Sequence, residues 1–336
     1  MKELARQLLL SGFRNQASDL YFFPNKATYQ VSYRFHQQHY SYGKLSRKVG
    51  EQLIQYFKYL AEMDVAEKRR VQVGAATITI KRKKYRIRLS TVSDFNNQES
   101  LVIRFLHELR TSQELVTFSP QLFYELQQKI QQSGLFLFAG PTGSGKTTTM
   151  YQLANTRKNH EKQVITIEDP VEIQGADFLQ LQVNPKIGAT YEQLIKACLR
   201  HRPDILIIGE IRDEETAKSV IRGALTGHTI FSTIHGLDKY SVIARLLELG
   251  VSREDLRQCL RGVVYQKIIP VACPYCVADC SLYCHRRKSG VLLDSWFDQE
   301  GIWEAYGKED TWHKGLWKIW QLGFINEKTY QEHSPK

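Results

Sequence analysis

The segment Gly140-Pro141-Thr142-Gly143-Ser144-Gly145-Lys146-Thr147 follows an apolar run at 135–139 and precedes residues able to open a helix. That context, strand then glycine-rich turn then helix, is what a phosphate-binding loop requires. Glycine lets backbone N–H groups converge on phosphate oxygens, and the positive end of the following helix strengthens the cradle. Lys146 is placed to reach the β and γ phosphates. Thr147, followed by Thr148 and Thr149, offers a hydroxyl where a magnesium ion sits in such loops. The motif predicts a nucleoside triphosphate site.

The surrounding pattern predicts the layers that hold such a loop. Short apolar runs at 135–139, 164–167, 205–208 and 229–231 are separated by helical stretches, as in a buried parallel sheet. Asp213 is an expected N-cap, with Glu214 and Glu215 at the helix's positive end. Ala217, Val220, Ile221 and Ala224 make one apolar face, and Gly227 closes the helix. Upstream, helices at 2–10 and 50–61 alternate with strands at 29–35, 77–80, 85–89 and 101–106, a small α+β domain with the basic loop Lys81-Arg82-Lys83-Lys84. Downstream, Trp296, Trp303, Trp312, Trp317 and Trp320 fall at partly helical spacing and predict a helical tail. The expected organisation is a small N-terminal domain at 1–108, a linker at 109–119, a nucleotide-binding domain at 120–269, a cysteine cluster at 270–288 and a helical appendage at 289–336.

With 336 residues and 42% hydrophobic content, the chain can give two domains a core each. Its 46 lysines and arginines against 35 acidic residues leave a formal charge of +11, which favours anionic partners: nucleotide, acidic protein surface, phospholipid or nucleic acid. No apolar stretch approaches a membrane span and the start lacks a signal-peptide core, so a cytosolic or peripherally membrane-attached protein is expected. Cys273, Cys276, Cys280 and Cys284, with His285 adjacent, put four thiols and an imidazole within thirteen residues. Zinc is the preferred ligand for them, with reduced thiols or disulfides as alternatives.

Hydrolysis needs a group that orients or deprotonates water beside the cradle. Glu210 follows the run 205–208, where a carboxylate emerges at the carboxyl edge of a parallel sheet. Gly209 stands where a metal-binding aspartate is usual, leaving magnesium to Thr147, phosphate and water. Glu168-Asp169-Pro170-Val171-Glu172 follows the run 164–167 and is expected on the same edge. His228 and His235 flank the run 229–231 and are candidate sensors of the terminal phosphate.

Together these motifs resemble those of the secretion-superfamily traffic ATPases of type II secretion, type IV pili and competence pseudopili. Gly140 to Thr149 resembles that family's Walker A segment, Thr166-Ile-Glu-Asp-Pro-Val-Glu172 its aspartate box, Ile208-Gly-Glu-Ile-Arg-Asp-Glu-Glu-Thr-Ala217 its Walker B segment, and Thr226-Gly-His-Thr-Ile-Phe-Ser-Thr-Ile-His235 its histidine box. Ala17-Ser18-Asp19-Leu20 resembles its opening motif. Arg86, Arg88 and Arg104 fall on strands that resemble those presenting arginines to nucleotide. Gly236-Leu237-Asp238-Lys239 departs from the usual end of the histidine box, and Phe35-His-Gln-Gln38 from a usual charged turn. The short chain with its compact cysteine cluster looks most like the competence pseudopilus assembly ATPases of Gram-positive bacteria.

The resemblance implies a RecA-like α/β core behind a PAS-like α+β domain. It further implies ATP hydrolysis with magnesium, catalysis by Lys146, Glu168 and Glu210, a ring hexamer at the cytoplasmic face of the membrane, and a polytopic inner-membrane pilus-assembly protein as partner. Direct nucleic-acid binding is not expected on this reading. The rival readings are a nucleic-acid-stimulated motor of the same fold and an ATP-binding scaffold with little turnover.

Overall fold

The computed structural model describes residues 1–35, 38–80, 83–107, 116–158, 162–173, 177–276, 284, 289–297 and 310–334. Two compact units emerge, one built on Met1–Glu108 and the other on Leu109–Asp279 with Arg286–Lys336.

The first unit runs α1 (Lys2–Arg14), β1 (Asp19–Asn25), β2 (Thr28–Phe35), β3 (Gln38–Ser46), α2 (Arg47–Leu60), β4 (Gln72–Ile80), β5 (Lys83–Ser93) and β6 (Glu99–Leu106). Its strands form one antiparallel sheet in the order β3-β2-β1-β6-β5-β4. Alternation decides which face is buried. Tyr29, Val31, Tyr33 and Phe35 of β2 and Ile87 and Leu89 of β5 join Leu8 and Leu9 of α1 and Leu53, Ile54 and Phe57 of α2 in a common core. Inside it the Lys58 ammonium, fully buried, meets Glu99 Oε1 at 2.7 Å and the Glu67 carbonyl at 2.6 Å. The strands β1 and β3, and the first half of β4, go beyond the sequence expectation. In Gln72–Ile80 the odd-numbered residues from Val73 to Thr79 are exposed, and β3 is rich in polar and tyrosine residues, so neither gives a strong apolar alternation.

On the other face of this sheet, register aligns Arg34 with Asp19, Asp19 with Arg104, and Arg104 with Arg88. Asp19, nearly buried, pairs with Arg104 at 3.0 Å. Arg86 shares that face, two residues along β5.

The second unit begins with α3 (Pro120–Lys129) and continues β7 (Gly134–Ala139), α4 (Lys146–Lys158), β8 (Val164–Glu168), β9 (Leu179–Gln182), α5 (Tyr191–Arg200), β10 (Ile205–Ile208), α6 (Glu214–Leu225) and β11 (Thr229–Ile234). Then follow α7 (Ser241–Glu248), α8 (Arg253–Cys259), β12 (Leu260–Pro270), β13 (Ser289–Trp296), α9 (Thr311–Gln321) and α10 (Glu327–His333). The sheet order is β13-β12-β7-β11-β10-β8-β9, parallel throughout except for β13. Every residue of β7, β8, β10 and β11 is buried, because helices cover both faces. Leu135, Leu137, Ile165, Leu206 and Ile230 feed one core with α5, α6, α7 and α8. Phe136, Phe138, Ile205, Ile207 and Phe231 feed another with α3 and α4. Asp213 caps α6 by accepting the Thr216 N–H at 2.8 Å.

The helical appendage starts later than expected. Ser289–Trp296 is a strand, paired antiparallel with β12, because the run Val291-Leu292-Leu293 is buried on both sides and extends the sheet. The helical spacing of tryptophans holds only from Trp312 to Trp320, in α9. Trp303 lies outside the described residues, as do Lys81 and Arg82 of the basic loop. Lys239, in the departing end of the histidine box, is buried and donates to Asp294 Oδ1 of β13 at 3.0 Å and Thr311 Oγ1 of α9 at 2.5 Å. Among the described residues no helix is long and apolar enough to cross a membrane.

Candidate active site

Residues 140–145 connect β7 to α4, which opens with Lys146 and Thr147, at the carboxyl edge of the parallel strands. Three glycines there hold positive φ: Gly140 (141°), Gly143 (79°) and Gly145 (83°). At Gly140 an added Cβ would lie 2.2 Å from the Gln266 carbonyl of β12, so conformation and close approach both demand glycine. Gln266 also donates to the Ser144 carbonyl at 2.7 Å from a fully buried position, bracing the loop from below. Nothing in the local motif announces Gln266; only the pairing of β12 with β7 brings it there.

Lys146 bends back over the loop, donating to the carbonyls of Gly140 at 2.8 Å and Pro141 at 3.0 Å. Burial lowers its pKa, and the negative charge of Glu210 opposes that shift. The charge of Glu210, which follows β10 two strands along the sheet, thus acts on the ammonium. The buried Ser144 hydroxyl has no hydrogen-bond partner among the described residues. Thr147 opens the helix beside Lys146 with its side chain only partly covered.

The segment after β10 is pinned from both sides. The Gly209 N–H donates to the Ile167 carbonyl at 2.8 Å, Ile211 N–H to the Thr233 carbonyl at 2.8 Å, and the Thr233 hydroxyl to the Gly209 carbonyl at 2.6 Å. An added Cβ on Gly209 would come within 3.0 Å of the Tyr191 hydroxyl and 3.3 Å of the Ile167 carbonyl, so any side chain in place of this glycine would need the tyrosine to give way. Glu210, one residue on, accepts from Arg212 through Oε1, and its Oε2 lies 3.6 Å from His235 Nε2. Arg212 also approaches Asp169 at 3.7 Å.

Glu168 ends β8 on the same edge but sits deeper, with 4% of its surface exposed. Its Oε1 accepts from the Tyr151 hydroxyl at 2.5 Å, the Thr166 hydroxyl at 2.6 Å and Gln180 Nε2 at 3.3 Å. Burial raises its pKa, while those donors pull it down and the charge of Glu172 adds to the rise.

The structure thus brings Lys146, Glu168, Glu210 and His235 to one sheet edge. His228 is not among them. It enters β11 beside Gly134, at the opposite end of the strand pair, and its Nδ1 lies 3.3 Å from the Gly223 carbonyl and 3.2 Å from the Thr226 hydroxyl. A six-residue strand places it about 20 Å from the loop, so of the two candidate histidines only His235 lies on the loop's edge of the sheet. Arg86, Arg88 and Arg104 belong to the first unit and are joined in their row by Arg34, which the motif reading missed. The thiols of Cys273, Cys276 and Cys284 lie within 4.8 Å of one another; Cys280 and His285 fall outside the described residues.

The donor that the loop itself offers is an oxygen atom, the Thr147 hydroxyl at the start of α4. That donor suits a hard divalent ion such as magnesium.

Comparison with known proteins agrees with this architecture. The family model for type II/IV secretion system proteins matches residues 1–329. The chain is 46% identical over 269 residues to the competence protein ComGA of Streptococcus pneumoniae, covering 80% of this chain and 85% of that protein. It is 36% identical over 293 residues to ComGA of Bacillus subtilis, covering 86% and 82%. Among solved structures, the ATPase DotB of Legionella pneumophila superposes with a TM-score of 0.74 at 18% identity, over 98% of this chain and 94% of that one. The pilus retraction motor PilT with bound ADP gives a TM-score of 0.66 at 21% identity, over 98% and 96%. With a P-loop at the sheet edge and a family match along almost its whole length, the chain belongs to the type II/IV secretion system protein family and is one of its ATPases.

Proposed function

We propose that this chain hydrolyses ATP at the 140–147 loop to drive assembly of a competence pseudopilus, with DNA uptake as the downstream consequence. The observation that carries the chemistry is the placement of Lys146, Glu168 and Glu210 at the carboxyl edge of one parallel sheet, with Glu168 and Glu210 after the adjacent strands β8 and β10 and Glu210 close enough for its charge to act on Lys146. In this reading the loop amides of residues 142–148 and the Lys146 ammonium bind the phosphates, Lys146 exchanging its two carbonyl partners for phosphate oxygens. Thr147 would hold magnesium, which withdraws charge from the phosphates when bound.

Glu168 takes a proton from the attacking water as oxygen bonds to the γ phosphorus and the bond to ADP breaks. Its raised pKa makes it a better acceptor than an exposed carboxylate. Glu210 orients water and polar groups at the mouth of the site, and His235 beside it registers the presence of the terminal phosphate. Arg86, Arg88 and Arg104 are assigned to neutralising phosphate charge.

The competence role is supported by the identity to the two ComGA proteins. Assembly as a hexamer, placement at the cytoplasmic face of the membrane, a polytopic membrane protein as partner, and zinc held by Cys273, Cys276 and Cys284 complete the proposal.

Phosphate release by purified Glu210→Gln protein is expected to fall by about two orders of magnitude with ATP binding retained. In competent cells the same variant should leave no assembled pseudopilus at normal protein level. Near-normal hydrolysis would remove Glu210 from its role, and pseudopili built by a hydrolysis-dead chain would remove the motor function.

A further inference from the structure

We infer that Tyr151 and Gln180 are positioning residues for hydrolysis, holding one oxygen of Glu168 so that the other is presented to the attacking water. The inference rests on the reading of Glu168 as proton acceptor.

Tyr151 lies on α4, one helical turn beyond the phosphate loop, and is fully buried. Gln180 lies on β9, the outermost parallel strand on that side. The two meet each other as well as the carboxylate: Gln180 Nε2 lies 2.8 Å from the Tyr151 hydroxyl, 3.3 Å from Glu168 Oε1 and 2.8 Å from the Ile173 carbonyl. Phe178 packs edge-on against the Tyr151 ring at 5.1 Å, fixing its plane.

The asymmetry of the carboxylate is the central point. Every hydrogen bond to the Glu168 carboxylate among the described residues ends on Oε1: from Tyr151, Thr166 and Gln180. The Tyr151 and Thr166 hydroxyls occupy the two lone pairs of that oxygen, Gln180 sharing a hydrogen with it at longer range, and together they set the rotation of the group, so the proton-accepting capacity is confined to Oε2. The same donors favour the ionised carboxylate against the cost of burial. Through this hydroxyl the helix that begins at Lys146 is tied to the carboxylate at the end of β8.

The charged and titratable groups facing this carboxylate are few. Tyr151 approaches from α4, Glu172 from the segment after β8, and Tyr191 from α5, itself under the fields of Glu210, Asp169 and Arg212. Removing the Tyr151 hydroxyl takes away a donor to the charged form, so Glu168 becomes harder to ionise. The acid limb of the turnover profile then moves toward higher pH.

The test is steady-state ATPase activity of the full chain across pH for wild type, Tyr151→Phe, Gln180→Leu and Glu168→Gln. For Tyr151→Phe, kcat at neutral pH is expected to drop about tenfold, KM for ATP to stay within about twofold, and the acid limb to rise by about one pH unit, with activity recovering on the alkaline side. Gln180→Leu should shift the limb in the same direction by less, and carries the test if Tyr151→Phe does not fold. Coincident acid limbs in wild type and variants, or an equal loss at every pH, would overturn the positioning role. The Glu168→Gln variant separates the two layers: retained turnover there overturns the base reading and this inference together. Collapsed turnover with an unmoved limb in Tyr151→Phe and Gln180→Leu overturns this inference alone.

Discussion

Glu168 is asked to do two opposing things. A base must ionise, yet this carboxyl is buried and its pKa is raised by that burial. Because the folded-state pKa exceeds the unfolded one, the native state holds the proton more tightly. Stability linked to that proton is present at low pH and is lost as pH rises through the raised value. At neutral pH the wild-type fold therefore carries a cost that a neutral isostere does not. Glu168→Gln, which still offers an acceptor oxygen to Tyr151 and Thr166, is expected to melt about 3 °C above wild type at pH 7, with the difference shrinking toward pH 5. Calorimetric melts at the two pH values check this. A variant that melts below wild type at pH 7, with no pH dependence in the gap, would show that Glu168 is not held under such a burden.

Among the elements, the central strands and the helix after β10 were the most legible in sequence. Fully buried strands read as apolar runs, and Asp213 with its following glutamates reads as a helix start whatever surrounds it. The same reasoning missed β1, β3 and β13, and in the parallel sheet β9 and β12 as well. The first two lie in a one-sided sheet whose outward residues dilute the pattern, and the third was hidden by tryptophans that belong to α9. His228 was misplaced for a different reason: in a parallel sheet, only residues leaving a strand on the phosphate-loop side reach that loop, and His228 enters its strand. Gln266, Tyr151 and Arg34 were beyond local reading because each reaches its partner through strand register or a helix packed across the sheet. The connection from β12 to β13 carries the cysteine cluster, where thiol proximity supports zinc. Protein prepared without chelator is expected to contain about one zinc per chain, and a strong chelator should lower its melting temperature. Metal-free protein whose melting is indifferent to chelator would leave these cysteines as plain thiols.

Taken whole, the molecule has two units with separate cores, and the family match runs through both. Its excess of 46 basic over 35 acidic residues suits an anionic ligand, but charge alone names none. What selects a triphosphate is the glycine geometry at the end of β7 and the ammonium folded over it, features legible in eight consecutive residues. The rest of the site needed the sheet to gather its carboxylates from strands far apart in sequence. The central claim is that this loop grips the phosphates of ATP through its amides and Lys146. Isothermal titration of the full chain with magnesium and ATP addresses it most directly. Wild type should give a saturable heat, and Lys146→Ala should bind at least about a hundredfold more weakly while melting like wild type without nucleotide. No saturable heat from well-folded wild type, or equal affinity in the Lys146→Ala chain, would contradict it.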